Sequence, residues 1–148
     1  MMRNRTGFTV IELLITMVIG SVLATIVSQG VGSYMRRRSL DDSRAAVIHM
    51  AARARSLAME RGSASLSIDP DLDTVTLVQG TDTVDVLLIE TDYGADLTAA
   101  QPLTVCYSPR GFALAACTNF TANQTLQLTF HNESANLLLR PLGQVEVM

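Results

Sequence analysis

An α+β fold is predicted for this chain of 148 residues: a long N-terminal helix packed on a small antiparallel β domain of two sheets. Two observations carry the prediction. Apolar residues recur at helical spacing from about Thr9 to Arg61. After Gly62 the period drops to two, and seven or eight short runs follow, separated by Gly, Pro, Asn and Asp. Strands that follow a helix in a block argue for two small antiparallel sheets and against a β-α-β architecture. The length supports one modest core plus an anchor, not two independent cores.

The chain opens with a basic leader over residues 1–7, Met1-Met2-Arg3-Asn4-Arg5-Thr6-Gly7. Phe8-Thr9-Val10-Ile11-Glu12-Leu13-Leu14-Ile15 then begins a long apolar run, read as a membrane-spanning or filament-core helix over 8–35. Leu13 to Tyr34 is 22 residues without a charge, slightly more than the ~20 a helix needs to cross a hydrocarbon core. Glu12 breaks the pattern. An ionisable group there is expensive and calls for a partner. A secretory signal peptide would use Arg3, Arg5 and a cleavage site at Val22-Leu23-Ala24, but Glu12 and the length of the run oppose it. A plain anchor accommodates the length and leaves Glu12 without a purpose. Gly20, Gly30 and Gly32, with Ser21, Ser28 and Ser33, allow close helix packing. They also weaken the helix, so Gly30-Val31-Gly32-Ser33 is expected either to bend or melt a turn, or only to ease packing.

Residues 36–62 continue the helix in amphipathic form. Val47, Met50, Ala51, Ala54, Leu57 and Ala58 form a stripe, with His49, Arg53, Ser56 and Glu60 opposite. The stripe is expected to pack on the β domain. Arg36-Arg37-Arg38 reads as a solvated collar at the membrane surface, and Arg37–Asp41 and Arg38–Asp42 have the spacing of helical ion pairs. Gly62 is a good helix stop. The β domain occupies 63–148. Its expected strands are Ser63–Ile68, Thr74–Gln79, Val84–Ile89, Leu103–Tyr107, Phe112–Ala115, Thr125–Phe130, Ala135–Leu139 and Gln144–Val147.

Charge is distributed unevenly. Residues 1–61 hold nine arginines against four acids, and residues 62–148 hold two against ten, so the first part carries +5 and the second −8. An acidic domain is a poor grip for nucleic acid. Cys106 and Cys117 form a credible disulfide in an oxidising compartment. However, a hairpin turn at Pro109-Arg110-Gly111 would set Cys106 opposite Ala113, leaving two buried thiols as the alternative. Asp69, Asp71 and Asp73 alternate like the start of a calcium loop, but Thr74 and Gly80 stand where glycine and glutamate are required. A solvated acidic turn is the simpler reading. His49, His131 and the cysteines lack zinc spacing, and no nucleophile pattern surrounds any Ser, Asp or His. No enzyme, metal or cofactor is expected.

Gly7-Phe8-Thr9-Val10-Ile11-Glu12 resembles the processing motif of type IV pilins and pseudopilins. The resemblance implies cleavage between Gly7 and Phe8 by a prepilin peptidase, with N-methylation of Phe8. It also implies that Glu12 meets the new α-amine of a neighbouring subunit during assembly. The downstream layout is similar to the GspH/FimT branch of minor pseudopilins and minor pilins. That likeness rests on the helix exit Ala51-Ala52-Arg53-Ala54-Arg55-Ser56-Leu57-Ala58-Met59-Glu60-Arg61, on Ser108-Pro109-Arg110-Gly111 and on Pro141-Leu142-Gly143-Gln144-Val145. It implies a subunit of a type II secretion system or type IV pilus. The partners would be other pilin-like subunits and inner-membrane lipid, with the C-terminal domain in the periplasm. FimT-type pilins that assist DNA uptake carry Gly-Arg-x-Arg near the C-terminus; here the place holds Gly143-Gln144-Val145-Glu146. Both arginines are missing, which disfavours DNA as a partner.

Overall fold

The computed structural model describes residues 9–148. It divides into two compact units, 1–35 and 36–148. Helix α1 runs Val10–Arg61. Helical structure continues through Gly30-Val31-Gly32-Ser33, so no melted turn forms there. Gly62 closes the helix by donating its N–H to Ala58 O at 2.8 Å.

In the first unit the described apolar side chains are exposed, from Val10 and Ile11 to Ile26 and Val27. By length and composition this stretch can cross a membrane. Three of its described hydroxyls bond within the helix. Thr16 Oγ1 donates to Leu13 O at 2.9 Å, Ser21 Oγ to Val18 O at 2.8 Å and Thr25 Oγ1 to Val22 O at 2.8 Å.

In the second unit eight strands form two four-stranded antiparallel sheets. The first sheet contains β1 (Ala64–Asp69), β2 (Thr74–Gln79), β3 (Asp82–Leu88) and β5 (Leu103–Tyr107), in the order β3-β2-β1-β5. The second contains β4 (Asp96–Thr98), β6 (Gln124–Phe130), β7 (Glu133–Leu139) and β8 (Val145–Val147), in the order β4-β6-β7-β8. A short helix α2, Ile89–Tyr93, precedes β4. The period-two pattern places Leu66, Ile68, Val75, Leu77 and Val105 from one sheet in the core with Leu126, Leu128, Leu137 and Leu139 from the other. The helical stripe Val47, Met50, Ala51, Ala54 and Ala58 packs in the same core and begins earlier than its apolar spacing suggested, at Leu40. Ser43, fully buried between them, is satisfied by Leu40 O at 2.8 Å.

Several expectations require correction. The run 112–115 is not a strand: only the isolated bridge Tyr107–Ala113 forms, because the chain turns again where Cys117 and Thr118 donate to Leu114 O. Ile89 leaves β3 and starts α2. Arg37 pairs with Glu133 of β7 at 3.5 Å instead of Asp41, which takes Arg44 at 3.3 Å, while Arg38–Asp42 forms at 3.7 Å. Arg37 thus reaches the second sheet while staying 73% exposed, a solvated ion pair of the kind that contributes about 0–1 kcal/mol. Asp73 is not simply solvated either. It adopts φ 50° at the β1–β2 turn, and its Oδ1 accepts the N–H of Leu97 in β4 at 2.6 Å, joining the two sheets.

Replacing Asp73 by Ala leaves the N–H of the buried Leu97 without this acceptor. It should lower the unfolding free energy by about 1–3 kcal/mol. Denaturant unfolding of the full chain in detergent checks this; an unchanged midpoint would exclude the inter-sheet role.

Candidate functional site

Two places qualify. The first is the start of α1. Thr9 precedes the first helical residue, and its Oγ1 accepts the Glu12 N–H at 3.4 Å, while its carbonyl accepts the Glu12 and Leu13 N–H groups at 3.1 and 3.2 Å. Thr9-Val10-Ile11-Glu12 is thus a capping-box sequence in which the threonine half is made. The spacing Thr-x-x-Glu announces this cap, although attention to the charge alone passes over it. Glu12 lies in the first turn, where the helix dipole favours an anion. Among the described residues its carboxylate has no partner. Gly7 and Phe8, the expected processing pair, lie outside the described residues.

The second place brings together three segments far apart in sequence: the exit of α1, the 108–111 turn and the 141–145 turn. Tyr107 is at their centre, fully buried. Its hydroxyl donates to Gly143 O at 2.8 Å, which Arg55 Nη2 also approaches at 3.5 Å. The Arg55 guanidinium lies 5.9 Å from the Tyr107 ring centroid, a cation–π distance. Gly143 has φ +81°, and a Cβ there would stand 2.6 Å from Tyr107 Cε1, so both conformation and space require glycine. A Cβ at Gly111 would lie 3.1 Å from Arg55 Cγ and 3.2 Å from Met59 Sδ. Burial pushes the Tyr107 phenol up to about 12, against a smaller lowering by the Arg55 charge. The cluster locks helix to loops and presents no nucleophile or general base to a substrate.

Cys106 and Cys117 are joined by a disulfide with Cα atoms 5.7 Å apart, inside the usual range. The expected obstacle disappears because the hairpin register differs by one residue. Tyr107, not Cys106, faces Ala113, and the turn at Leu114 brings Cys117 back toward β5. The loop it closes also covers the outer edge of β5. Cys106 O accepts from Leu114 N at 2.7 Å, Thr104 O accepts from Asn119 N at 3.2 Å, and Thr104 N donates to Asn119 Oδ1 at 2.9 Å. An edge that would otherwise invite strand pairing is closed by its own chain. At the C-terminal turn, Glu146 accepts from Arg140 Nη2 at 2.6 Å, so the arginine nearest the missing Gly-Arg-x-Arg is already neutralised. Among the described residues no group of three or more His, Cys, Asp or Glu is placed to hold a metal ion.

Comparison with known proteins adds two findings. Residues 2–28 match the family model described as the prokaryotic N-terminal methylation motif. Two crystal forms of the type IV minor pilin FimU of Pseudomonas aeruginosa PAO1 share the fold, both at 12% identity. One has a TM-score of 0.56 and covers 78% of this chain and 92% of FimU; the other has 0.52, 74% and 92%. No curated protein sequence matches the chain.

Raising the pH tests the Tyr107 lock. The folded state keeps this phenolic proton to about 12, whereas an unfolded tyrosine releases it near 10. The stabilisation is therefore complete below about pH 10 and is lost as pH rises toward 12. Tyr107→Phe should cost about 1 kcal/mol at neutral pH through the lost hydrogen bond and remove the tyrosinate absorbance step near pH 12. Persistence of that step in the variant would assign it to another tyrosine.

Proposed function

The chain is type IV pilin-like in its N-terminal motif and in its fold, and from that premise we propose that it is a minor pilin or minor pseudopilin of the GspH/FimT kind. It serves as a structural subunit of a type IV pilus or a type II secretion system. Prepilin peptidase removes residues 1–7, and Phe8 is methylated. The apolar half of α1 holds the protein in the inner membrane until it enters the filament, with the β domain in the periplasm.

The observation that carries this reading is Glu12. The described hydroxyls around it are satisfied by their own helix, yet its carboxylate has no partner among the described residues. Leaving it unpaired in an apolar setting costs about 2.5–3.5 kcal/mol. The α-amine released at Phe8 of the next subunit is a cation of the right sign and reach. Assembly then supplies the missing partner.

Nucleic acid is not a partner in this reading. The 62–148 segment carries −8, counted as two arginines against ten acids, and Arg140 is engaged by Glu146. Salt-sensitive retardation of DNA by micromolar full-length protein would reverse that conclusion.

N-terminal sequencing with mass analysis should find mature protein beginning at methylated Phe8, whereas a start at Thr25 would indicate signal-peptide processing and defeat the proposal. Glu12→Val should leave cleavage and membrane insertion at wild-type levels and reduce incorporation into sheared filaments at least tenfold. Normal incorporation of that variant would remove Glu12 from assembly.

A further inference from the structure

The edges of the two sheets are not equivalent, and we propose that the β8 edge is a docking site for an extended, acidic segment of a different protein, which adds to the second sheet as a further strand. The other three edges are closed by the chain itself. At β5 the outward N–H groups of Thr104 and Cys106 donate to Asn119 Oδ1 at 2.9 Å and to Thr118 Oγ1 at 3.4 Å. At β3, Asp85 Oδ1 accepts the Val86 N–H at 3.0 Å, and Asp92 Oδ2 accepts the Leu88 N–H at 3.3 Å. At β4 the Leu97 N–H is taken by Asp73. Each cap withholds donors that an incoming strand would need.

Strand β8 is built differently. Gln144 O accepts from Arg140 N–H at 2.8 Å and Met148 N–H donates to Asn136 O at 3.2 Å, so residues 144, 146 and 148 turn their backbone groups toward β7. By the same alternation the N–H and C=O groups of Val145 and Val147 point away from β7, and nothing takes them among the described residues. This open edge borders a cleft of about 300 Å³ beside α1, with Ile48, Ala51 and Ala52 as an apolar wall and Arg55 at the end of the row. Val145 and Val147 stand opposite Leu139 and Leu137, so their side chains share the inner face of the sheet. Val147 is nevertheless 55% exposed there. An added strand would carry that face across the cleft and cover it.

Charge selects the occupant. Arg55 has no carboxylate partner among the described residues: it lies over the Tyr107 ring, reaches Gly143 O only at 3.5 Å, and holds a buried Nε without a hydrogen bond. Glu146, also at the cleft, is already engaged by Arg140 at 2.6 Å. A segment that alternates apolar residues with a carboxylate on its inward side would meet both the wall and the cation, while its main chain pairs with Val145 and Val147. The β8 strand of a second copy would turn Val145 and Val147 inward and bring no carboxylate, so the partner is a different chain. The site belongs to the β domain alone and does not depend on processing at Gly7.

Photo-crosslinking tests this in the full-length chain in its native membrane, with Gln144→p-benzoylphenylalanine at an exposed position of the cleft. The expected product joins position 144 to one segment of another protein, with an Asp or Glu close to the joined residue. Arg55→Glu should lower its yield at least tenfold, and changing that Asp or Glu to Arg should restore it. Arg55 also packs on Tyr107, so Val147→Pro supplies a second arm that leaves that cluster alone. It deletes an outward N–H while keeping the β7 ladder, and should lower the yield at least fivefold at an unchanged melting temperature. The proposal is overturned by the absence of any cross-link, or by a cross-link to nucleic acid or to a second copy of this chain. A joined segment without Asp or Glu, or a yield indifferent to both substitutions, overturns it equally.

Discussion

Each sheet of the second unit turns one apolar face inward, and the stripe that α1 brings is buried in the same core as both. In β1 the buried residues are Ala64, Leu66 and Ile68; in β7 they are Ala135, Leu137 and Leu139. Both sets belong to one core with Leu40, Val47, Met50, Ala54 and Ala58 of the helix. Burying each large side chain contributes about 1.5–3 kcal/mol, so this shared packing far exceeds any surface ion pair at ~0–1 kcal/mol. The three alanines at 51, 54 and 58 keep the spine narrow where it packs. Polar links then fix how the parts meet: Asp73 joins the sheets, and Tyr107 ties β5 to the C-terminal turn.

Most of this architecture was legible because two periods dominate it. The helix from about Thr9 to Arg61 and the strands at 74–79 and 103–107 follow directly from spacing. What escaped had non-local causes. Strand β4 is three residues with one apolar side chain, Leu97, and exists because β6 pairs with it and Asp73 caps its N–H. The run at 112–115 looks like a strand, yet Phe112 and Leu114 remain exposed because the disulfide loop spends its hydrogen bonds on Ser108 and the edge of β5. Arg37 found Glu133 across the fold instead of Asp41 on its own helix, a choice invisible to helical spacing.

The convergence at Tyr107 connects separate turns of the chain to one function of the fold. Arg55, Gly111 and Gly143 come from three segments, and each is constrained by the same neighbourhood. A buried phenol whose pKa is pushed up to about 12 and a glycine whose Cβ would collide with it describe a packed lock. With that end fixed, the disulfide loop has a rigid base, and its two faces can differ. The inner face satisfies the β5 edge while the outer displays Phe112. The β5 edge of the first sheet is thereby withheld from strand pairing by its own chain.

Under the assembly reading, the energetics of Glu12 decide whether one charge suffices to couple a subunit to its neighbours. Its place in the first turn of α1 lets the helix dipole offset roughly 0.3–1 kcal/mol of its cost. That is less than the ~2.5–3.5 kcal/mol an isolated carboxylate incurs in an apolar layer. Thr9 does not close the gap, because its hydroxyl accepts the Glu12 backbone N–H and not the carboxylate. A cation at 4 Å contributes about 4 kcal/mol at an effective dielectric of 20, which is enough to turn the remaining penalty into a net attraction. Under the assembly reading, an uncut leader offers no α-amine at Phe8, so the same arithmetic withholds the attraction until Gly7 has been removed.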